Sequence, residues 1–212
     1  MSVVYLETFE SYALASALTD VPPNYVTTAS SGTWTVVSAF GGKGGGNGTT
    51  ASWSHAMYDG ASYTYTDLSV KCSFAAGRAN IFARVGSLSA VNSIPPDGYV
   101  VQCLSGTLTL FRNAYATTLG TWAGSPADGT NFTLRLLCNG TSIKVFVDGT
   151  ERISVVDATT ASGKVGIGTF ATTGALFDNV TVDNGVIVND GGGGFTMMMN
   201  SHGMSRRRRR KF

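Results

Sequence analysis

Charged side chains are scarce in this sequence. Asp, Glu, Lys and Arg make up 13% of its 212 residues, whereas they average about a quarter of a soluble protein. There are only three glutamates and two histidines. No long segment has the 3.6-residue periodicity of an amphipathic helix. These shortages argue against a helical protein and against an enzyme with several titratable groups in its active site.

Cysteine is also rare. Cys72, Cys103 and Cys138 each lie in a strand-like run, and none has the close spacing of a zinc site or a redox pair. An odd number in a chain of this size argues against a disulfide scaffold. We expect buried, reduced thiols that pack as small apolar residues, with a Cys103–Cys138 bridge between neighbouring strands as the main alternative.

The sequence lacks targeting and membrane-spanning features. Its first residues, Met-Ser-Val-Val-Tyr-Leu-Glu-Thr-Phe, have neither the basic region nor the apolar region of a signal peptide. No apolar run reaches the length that a membrane-spanning helix needs. We therefore expect a soluble protein that is made in the cytoplasm without secretory export and has no membrane partner.

Short strands separated by turn signals are abundant instead, most clearly in residues 131–183. Asn139-Gly140 and Asp148-Gly149 are dipeptides that accept the positive φ angles of tight hairpins. Between them, alternation places one set of apolar side chains on a single face: Phe132, Leu134, Leu136, Ile143, Val145 and Val147. This pattern predicts an antiparallel meander, with the rest of the chain supplying the facing sheet.

Along the whole chain, about a dozen short strands predict two packed sheets. Residues 41–48 contain six glycines and resemble a phosphate-binding loop in composition only. They lack its Gly-Lys-Ser/Thr ending, so a flexible surface hairpin is the better interpretation. The alternation of apolar residues slips between Tyr65 and Leu68, which predicts a bulge or a bend from one sheet to the other.

Several of these runs together resemble a known superfamily. They are Gly98-Tyr99, Leu108-x-Leu110-x-Arg112, Phe132-Thr-Leu-Arg-Leu, Asn139-Gly-x-x-Ile-Lys-Val-Phe-Val-Asp-Gly, Gly163-x-Val-Gly-Ile and Phe177-Asp-Asn-Val-Thr-Val. The chain from Val3 to Asp183 is similar to the concanavalin A-like lectins and glucanases, which include laminin-G-like domains and some phage virion proteins. The resemblance implies an all-β fold, a two-sheet antiparallel jelly-roll sandwich, here with an extended C-terminal tail. Lectins, glycosidases, adhesion modules and virion proteins all use this fold, so it does not by itself give the function.

The resemblance also implies what a catalytic member would need. Glycosidases of the superfamily carry two Glu on one strand, and a retaining mechanism needs two carboxyl groups about 5 Å apart. Here Glu7 and Glu10 are three residues apart, which puts them on opposite faces of an extended strand, and Glu151 is remote. The two histidines, His55 and His202, form no triad pattern. The prediction is a protein that is not an enzyme.

Two kinds of ligand site are compatible with the sequence. Exposed aromatic residues could bind a glycan, and Trp53, Tyr58 and Trp122 are the candidates, with Tyr63 and Tyr65 as further possible platforms, although alternating aromatics more often belong to a core. The resemblance implies a calcium site in many relatives, for which Asp178 is a weak candidate with Glu10 near it. The alternative is that Asp178 accepts hydrogen bonds from backbone amides. Apart from this calcium, no cofactor is predicted.

The C-terminal sequence predicts an anchor. Residues 1–184 form the predicted sandwich, residues 185–194 a Gly-rich linker, and residues 195–212 a Met- and Arg-rich tail. The tail combines an adaptable apolar patch with a run of cations that suits an acidic protein surface or nucleic-acid phosphates. The predicted anchoring residues are Phe195, Met197, Met198, Met199, Arg206, Arg207, Arg208, Arg209, Arg210, Lys211 and Phe212.

Together these features lead to a functional hypothesis. A lectin-like sandwich, no export signal and an anchoring tail fit a bacteriophage virion protein, either a head decoration or a fibre-type subunit, located in the virion. It would bind other virion proteins of the capsid or tail through an acidic surface, form a homo-oligomer on the particle, and adhere weakly to host glycans. One alternative is a free carbohydrate-binding module or lectin. The other is a nucleic-acid-binding protein that acts through its Arg tail.

Overall fold

A computed structural model of the chain describes residues 3–18, 25–29, 34–47, 53–58, 62–74, 78–86, 97–104, 106–113, 115–170 and 175–185. Within these residues the long regular elements are strands. In chain order they are β1 (Val3–Glu7), β2 (Tyr25–Ala29), β3 (Trp34–Ala39), β4 (Gly42–Asn47), β5 (Trp53–Tyr58), β6 (Thr66–Ser73), β7 (Arg78–Val85), β8 (Tyr99–Leu104), β9 (Thr107–Arg112), β10 (Thr117–Ala123), β11 (Phe132–Asn139), β12 (Ser142–Val147), β13 (Thr150–Val156), β14 (Lys164–Phe170) and β15 (Leu176–Asp183).

The strands form two antiparallel sheets that face each other. Sheet A has eight strands in the order β13-β12-β11-β6-β15-β4-β3, and β1 also pairs with β15. Sheet B has seven strands in the order β10-β9-β8-β7-β14-β5-β2. The predicted jelly-roll sandwich is therefore confirmed.

The core lies between the sheets and follows the alternation seen in the sequence. Along β11, the side chains of Phe132, Leu134, Leu136 and Cys138 are buried, while those between them are more exposed. Aromatic rings also join neighbouring elements of sheet A: the rings of Phe74, just after β6, and Phe132, in β11, meet nearly perpendicularly at 5.8 Å between centroids. Such edge-to-face pairs add about 0.5–1.5 kcal/mol beyond the burial of their area.

The turns of the C-terminal half match their sequence signals. Val147 pairs with Thr150, so Asp148 and Gly149 form the two-residue loop between β12 and β13. Both have positive φ, 49° and 77°, as a type I′ turn requires. The first turn is displaced by one residue, since Asn139 pairs with Ser142 and leaves Gly140 and Thr141 in the loop.

The predicted meander is correct only for β11, β12 and β13. The next strand, β14, leaves sheet A and pairs with β5 and β7 in the middle of sheet B, and β15 then returns to sheet A beside β6. A side chain on Gly166 would overlap the ring of Phe82 and the carbonyl of Ala56. The glycines of β14 thus let this strand fit between its neighbours, a requirement that local alternation does not reveal.

The glycine-rich segment is also more regular than predicted. A hairpin turns at Phe40 and Gly41, but Gly42–Asn47 is strand β4, paired with β3 and β15. A Cβ on Gly44 would lie 2.6 Å from the carbonyl oxygen of Phe177. Glycine is needed here for close approach of backbones rather than for flexibility.

The slip in alternation near Tyr65 marks a change of sheet, as predicted. Tyr63 exchanges two backbone hydrogen bonds with Gly163, at 2.8 and 3.2 Å, next to the start of β14 in sheet B. Three residues later the chain enters β6, which belongs to sheet A. Residues 64–65 are therefore the segment that crosses between the sheets, and both also line a pocket at the end of the sandwich.

All three cysteines are free and buried, as expected. Cys103 lies in sheet B and Cys138 in sheet A. Burial raises the pKa of Cys103 to about 11 and that of Cys138 to about 12, so both thiols are protonated near neutral pH. In the described part of the chain, no helix is long and apolar enough to cross a membrane.

Candidate functional site

A pocket of about 450 Å³ opens at one end of the sandwich. Its wall combines the crossing segment before β6, the turn between β11 and β12, and the loop between β13 and β14, with the end of β7 below them. The lining residues are Thr64, Tyr65, Arg84, Asn139, Gly140, Thr141, Ala158, Thr160 and Ala161. The volume falls within the range of about 300–1,000 Å³ that is usual for small-molecule sites.

Arg84 holds the pocket together. Its Nη1 donates hydrogen bonds to the carbonyl oxygens of Gly140 at 2.8 Å and Thr160 at 2.9 Å, and its Nη2 donates to that of Thr64 at 2.5 Å. These three acceptors belong to the three wall segments. One side chain, 1% exposed, thus fixes the positions of all of them.

A break in strand regularity directs Arg84 to this place. The pairing of β7 with β14 shifts register between Lys164 and Gly166, and Arg84 has a φ of 58°. Such bulges redirect side chains at the ends of sheets. A Cβ on Gly98 would lie 2.7 Å from the carbonyl oxygen of Arg84, so glycine is needed beside the bulge.

The loop between β13 and β14 has its own support, centred on Asp157. The Tyr99 hydroxyl donates to Asp157 Oδ1 at 2.8 Å, Thr159 N–H donates to the same oxygen at 2.9 Å, and Arg112 Nη1 donates to Oδ2. Burial alone would raise the pKa of Asp157, but these hydrogen bonds and the charge of Arg112 outweigh it and hold the pKa below its usual value. The loop that carries Ala158, Thr160 and Ala161 is therefore tied to the body of sheet B.

A second polar surface runs across the outer face of sheet B. Strand register aligns one row of residues over all seven strands: Thr28, His55, Gly168, Asn80, Gln102, Thr109 and Thr121. A side chain on Gly168 would overlap the ring of His55, and the rings of His55 and Phe82 meet at 5.8 Å between centroids. The lack of a side chain at Gly166 and Gly168 lets these rings lie over β14.

The middle of this row is closed to a ligand in the structure, whereas Thr121 at its end is exposed. His55, Asn80 and the adjoining Phe82 are fully buried. Among the described residues, the side-chain amide of Asn80 has no hydrogen-bond partner. The pocket at the end of the sandwich is open and is therefore the better candidate for a binding site.

The three aromatic residues predicted to bind a glycan do not come together. Tyr58 is buried in the core cluster. The pKa of its neighbour Tyr63 is raised to about 12, mainly by the burial of Tyr63 and further by its interaction with Tyr58. Trp122 is half-buried, with the guanidinium of Arg152 over its ring at 4.2 Å. For Trp53 the structure describes only the backbone, which pairs with Phe170. Since β5 and β10 are five strand spacings apart, about 24 Å, Trp53 and Trp122 cannot form one platform.

Asp178, the weak calcium candidate, accepts a hydrogen bond from the backbone N–H of Asn179 at 2.7 Å. Burial and the charge of Glu10 raise its pKa, although the Asn179 bond and Lys71 act in the opposite direction. Glu10 itself accepts a hydrogen bond from Lys43 N–H at 2.8 Å. Within the described residues, no group of three His, Cys, Asp or Glu side chains could hold a metal ion.

The predicted anchor cannot be placed. Residues 186–212, which include every anchoring residue from Phe195 to Phe212, lie outside the described residues. The division into sandwich, linker and tail remains a prediction.

Apart from Tyr65, the pocket residues cannot be recognised in the sequence, because what they share is their position in space. The one available signal was Arg84 itself, a charged residue in the apolar run Ile-Phe-Ala-Arg-Val at 81–85. A buried charge needs several hydrogen-bond partners, so such a residue marks a place where distant segments meet.

Comparisons with known proteins address the architecture. No protein-family model and no curated protein sequence matches this chain. Among solved structures, a protein of unknown function with a galectin-like fold from Bacillus subtilis aligns with a TM-score of 0.67 and 12% identity, over 87% of this chain and 96% of that one. The fold is that of a lectin-like jelly roll.

Two further structures agree with this. The carbohydrate-binding module CBM66 from Bacillus subtilis aligns with a TM-score of 0.60 and 19% identity, over 74% of this chain and 94% of that one. Domain 4 of AbnA, an extracellular arabinanase from Geobacillus stearothermophilus solved with arabinotriose, aligns with a TM-score of 0.55 and 14% identity, over 85% of this chain and 91% of that one. At these identities the likeness concerns the fold, and it agrees with the predicted concanavalin A-like sandwich.

Proposed function

We propose that this protein is a carbohydrate-binding domain and that its ligand occupies the pocket at the end of the sandwich. The observation that carries the proposal is the lining of this pocket. Three threonines (Thr64, Thr141 and Thr160), Asn139 and Tyr65 line one space of about 450 Å³.

These groups suit a sugar for a chemical reason. Each sugar hydroxyl both donates and accepts hydrogen bonds, and threonine hydroxyls and an asparagine amide can do the same. The apolar faces of a sugar ring pack on aromatic side chains, for which Tyr65 is placed. Similar folds support the proposal, since CBM66 is a carbohydrate-binding module and domain 4 of AbnA was solved with arabinotriose.

Binding fits the described residues better than hydrolysis does. The Glu7 carboxylate accepts a hydrogen bond from Phe9 N–H at 2.5 Å, and that of Glu10 from Lys43 N–H at 2.8 Å. Glu151 pairs with Lys144 at 2.8 Å between Nζ and Oε2, at the edge of sheet A that β13 forms. Each of the three carboxylates thus has a partner of its own and none is among the described lining residues of the pocket, whereas glycoside hydrolysis uses a close pair of carboxyl groups at the ligand site.

A glycan array followed by calorimetry tests the proposal. The full chain is applied to oligosaccharides with neutral and carboxylated sugars, and any ligand is then titrated against Ala161→Trp, in which the indole fills the pocket. Ser154→Trp, which adds the same side chain at an exposed position of β13, is the matched control. Loss of binding in the first variant alone supports the pocket. Equal binding by both variants, or no binding by the unmodified chain, refutes the proposal.

We further propose that the domain is displayed on a bacteriophage particle by its C-terminal tail, as a decoration or fibre-type subunit. The supporting observation is the composition of the sequence: six of the 15 basic residues and none of the 13 acidic ones lie in Arg206–Lys211. Deletion of residues 191–212 is expected to abolish co-sedimentation with the particle while leaving the sandwich folded. Retained co-sedimentation would contradict the anchor.

The nucleic-acid alternative gives a different result in the same system. Phosphate binding by the Arg run predicts affinity for DNA that falls steeply with salt and is lost in the deletion variant. A free lectin predicts glycan binding that is unchanged by the deletion.

A further inference from the structure

The pocket contains a positive charge, that of Arg84, which has no ion-pair partner among the described residues. In the described part of the chain, the three ion pairs are Arg112–Asp157, Arg135–Asp67 and Lys144–Glu151, and none of them includes Arg84. All three acceptors of its hydrogen bonds are neutral backbone carbonyls. Its Nε–H is buried and has no acceptor there.

The other lining residues do not neutralise this charge. The described ones are threonine, tyrosine, asparagine, glycine and alanine residues, so among the described lining residues only Arg84 carries a formal charge. A buried charge acts over several ångströms because little water screens it. Two neighbours feel its charge. Arg84 lowers the pKa of the Tyr99 hydroxyl and of the Cys138 thiol, although burial, the largest effect, and the carboxylates of Asp157 and Asp67, respectively, raise them.

We propose that this pocket selects a sugar carrying a carboxylate, such as a uronic acid, over its neutral counterpart. The inference rests on the proposed carbohydrate-binding function and specifies its ligand class. The carboxylate lies above the guanidinium and is attracted by its charge, while the three carbonyl bonds of Arg84 stay in place. The sugar hydroxyls then meet Thr64, Thr141 and Thr160 on the wall.

Charge is the property to vary, while the sugar rings and their hydroxyl groups stay the same and each carboxyl group gains only a methyl. Trigalacturonic acid and its fully methyl-esterified form are titrated against the full chain by calorimetry at 20 and at 300 mM NaCl. We expect the acid to bind about tenfold more tightly than the ester at low salt. The difference should shrink at high salt, where the screening length falls from about 20 Å to about 6 Å.

A variant pair then locates the effect without disturbing the buried Arg84. Ala161 is exposed at the pocket rim, and Ala161→Asp and Ala161→Asn have nearly the same size. The Asp variant should lose the preference for the acid, because the added carboxylate opposes the field of Arg84. The Asn variant should keep it.

Each outcome decides between the two proposals. Equal affinity for acid and ester, or equal behaviour of the Asp and Asn variants, overturns the charge preference. If the ester or neutral sugars still bind and Ala161→Trp blocks them, the carbohydrate-binding function stands alone. If no sugar on the array binds, the function itself fails, and the selectivity fails with it.

Discussion

Replacing Arg84 with methionine should destabilise the pocket walls before it affects the rest of the sandwich. The change removes the charged donors that satisfy the carbonyls of Gly140, Thr160 and Thr64. Hydrogen bonds from charged groups contribute about 1.5–3 kcal/mol each. Water can reach the released carbonyls at this open end of the fold, so we expect a total loss of about 3–5 kcal/mol in the free energy of unfolding.

Urea denaturation measures this loss, and native-state hydrogen exchange shows where it falls. The amides to follow are those of Asp157 and Gly163, whose backbone bonds to Thr141 and Tyr63 close the same end of the sandwich. Their exchange should accelerate more than that of the β8 amides. Arg84→Lys keeps the charge, but lysine cannot reach all three carbonyls in a fixed fork. Its free energy of unfolding should therefore lie between those of Arg84→Met and the unmodified protein.

Arg78→Met on the same strand is the control for loss of an arginine. A loss below about 1 kcal/mol for Arg84→Met, or a loss equal to that of Arg78→Met, would refute the view that Arg84 holds the three segments together. Uniform acceleration of exchange throughout the sandwich would show that its role is global rather than local.

Three further results are expected. Gly44→Ala should lower the free energy of unfolding, measured with urea, by about 1–3 kcal/mol, because its Cβ would lie 2.6 Å from the Phe177 carbonyl oxygen. Gly46→Ala should lower it less, because the closest atom there is a side-chain methyl at 3.0 Å. The reverse order would contradict the argument that Gly44 permits close approach of backbones. The pKa of Asp157 is lowered in the folded protein. Its contribution to stability is therefore present above its unfolded pKa near 4 and is lost as the pH falls through the folded pKa. Asp157→Asn should flatten the fall in melting temperature between about pH 5 and 2, and an unchanged slope would disprove the role of Asp157. The three buried thiols should resist a thiol-specific reagent at pH 8 and react fully in urea, and rapid labelling of the native protein would be inconsistent with the described core.

The sequence by itself determined the local structure and the fold class. Alternation predicted the buried face of β11, and Asp148-Gly149 predicted a hairpin turn, since both depend on residues that are adjacent in the chain. The slip near Tyr65 predicted a bend between sheets. Together with the resemblance to lectin-like sandwiches, these features were enough to predict a jelly roll, although they placed β14 in the wrong sheet and made the segment of β4 a flexible surface hairpin rather than an inner strand of sheet A.

Only the tertiary structure decided which segments meet. Arg84 reaches carbonyls that lie 20, 56 and 76 residues away in the chain, and the polar row on sheet B takes one residue from each of seven strands. No periodicity encodes such partners, because backbone carbonyls are the same in every residue and strand order is set by the packing of the whole chain. The aromatic residues that looked most suitable for a glycan were separated by that same packing. The pocket was formed instead by threonines and one buried arginine.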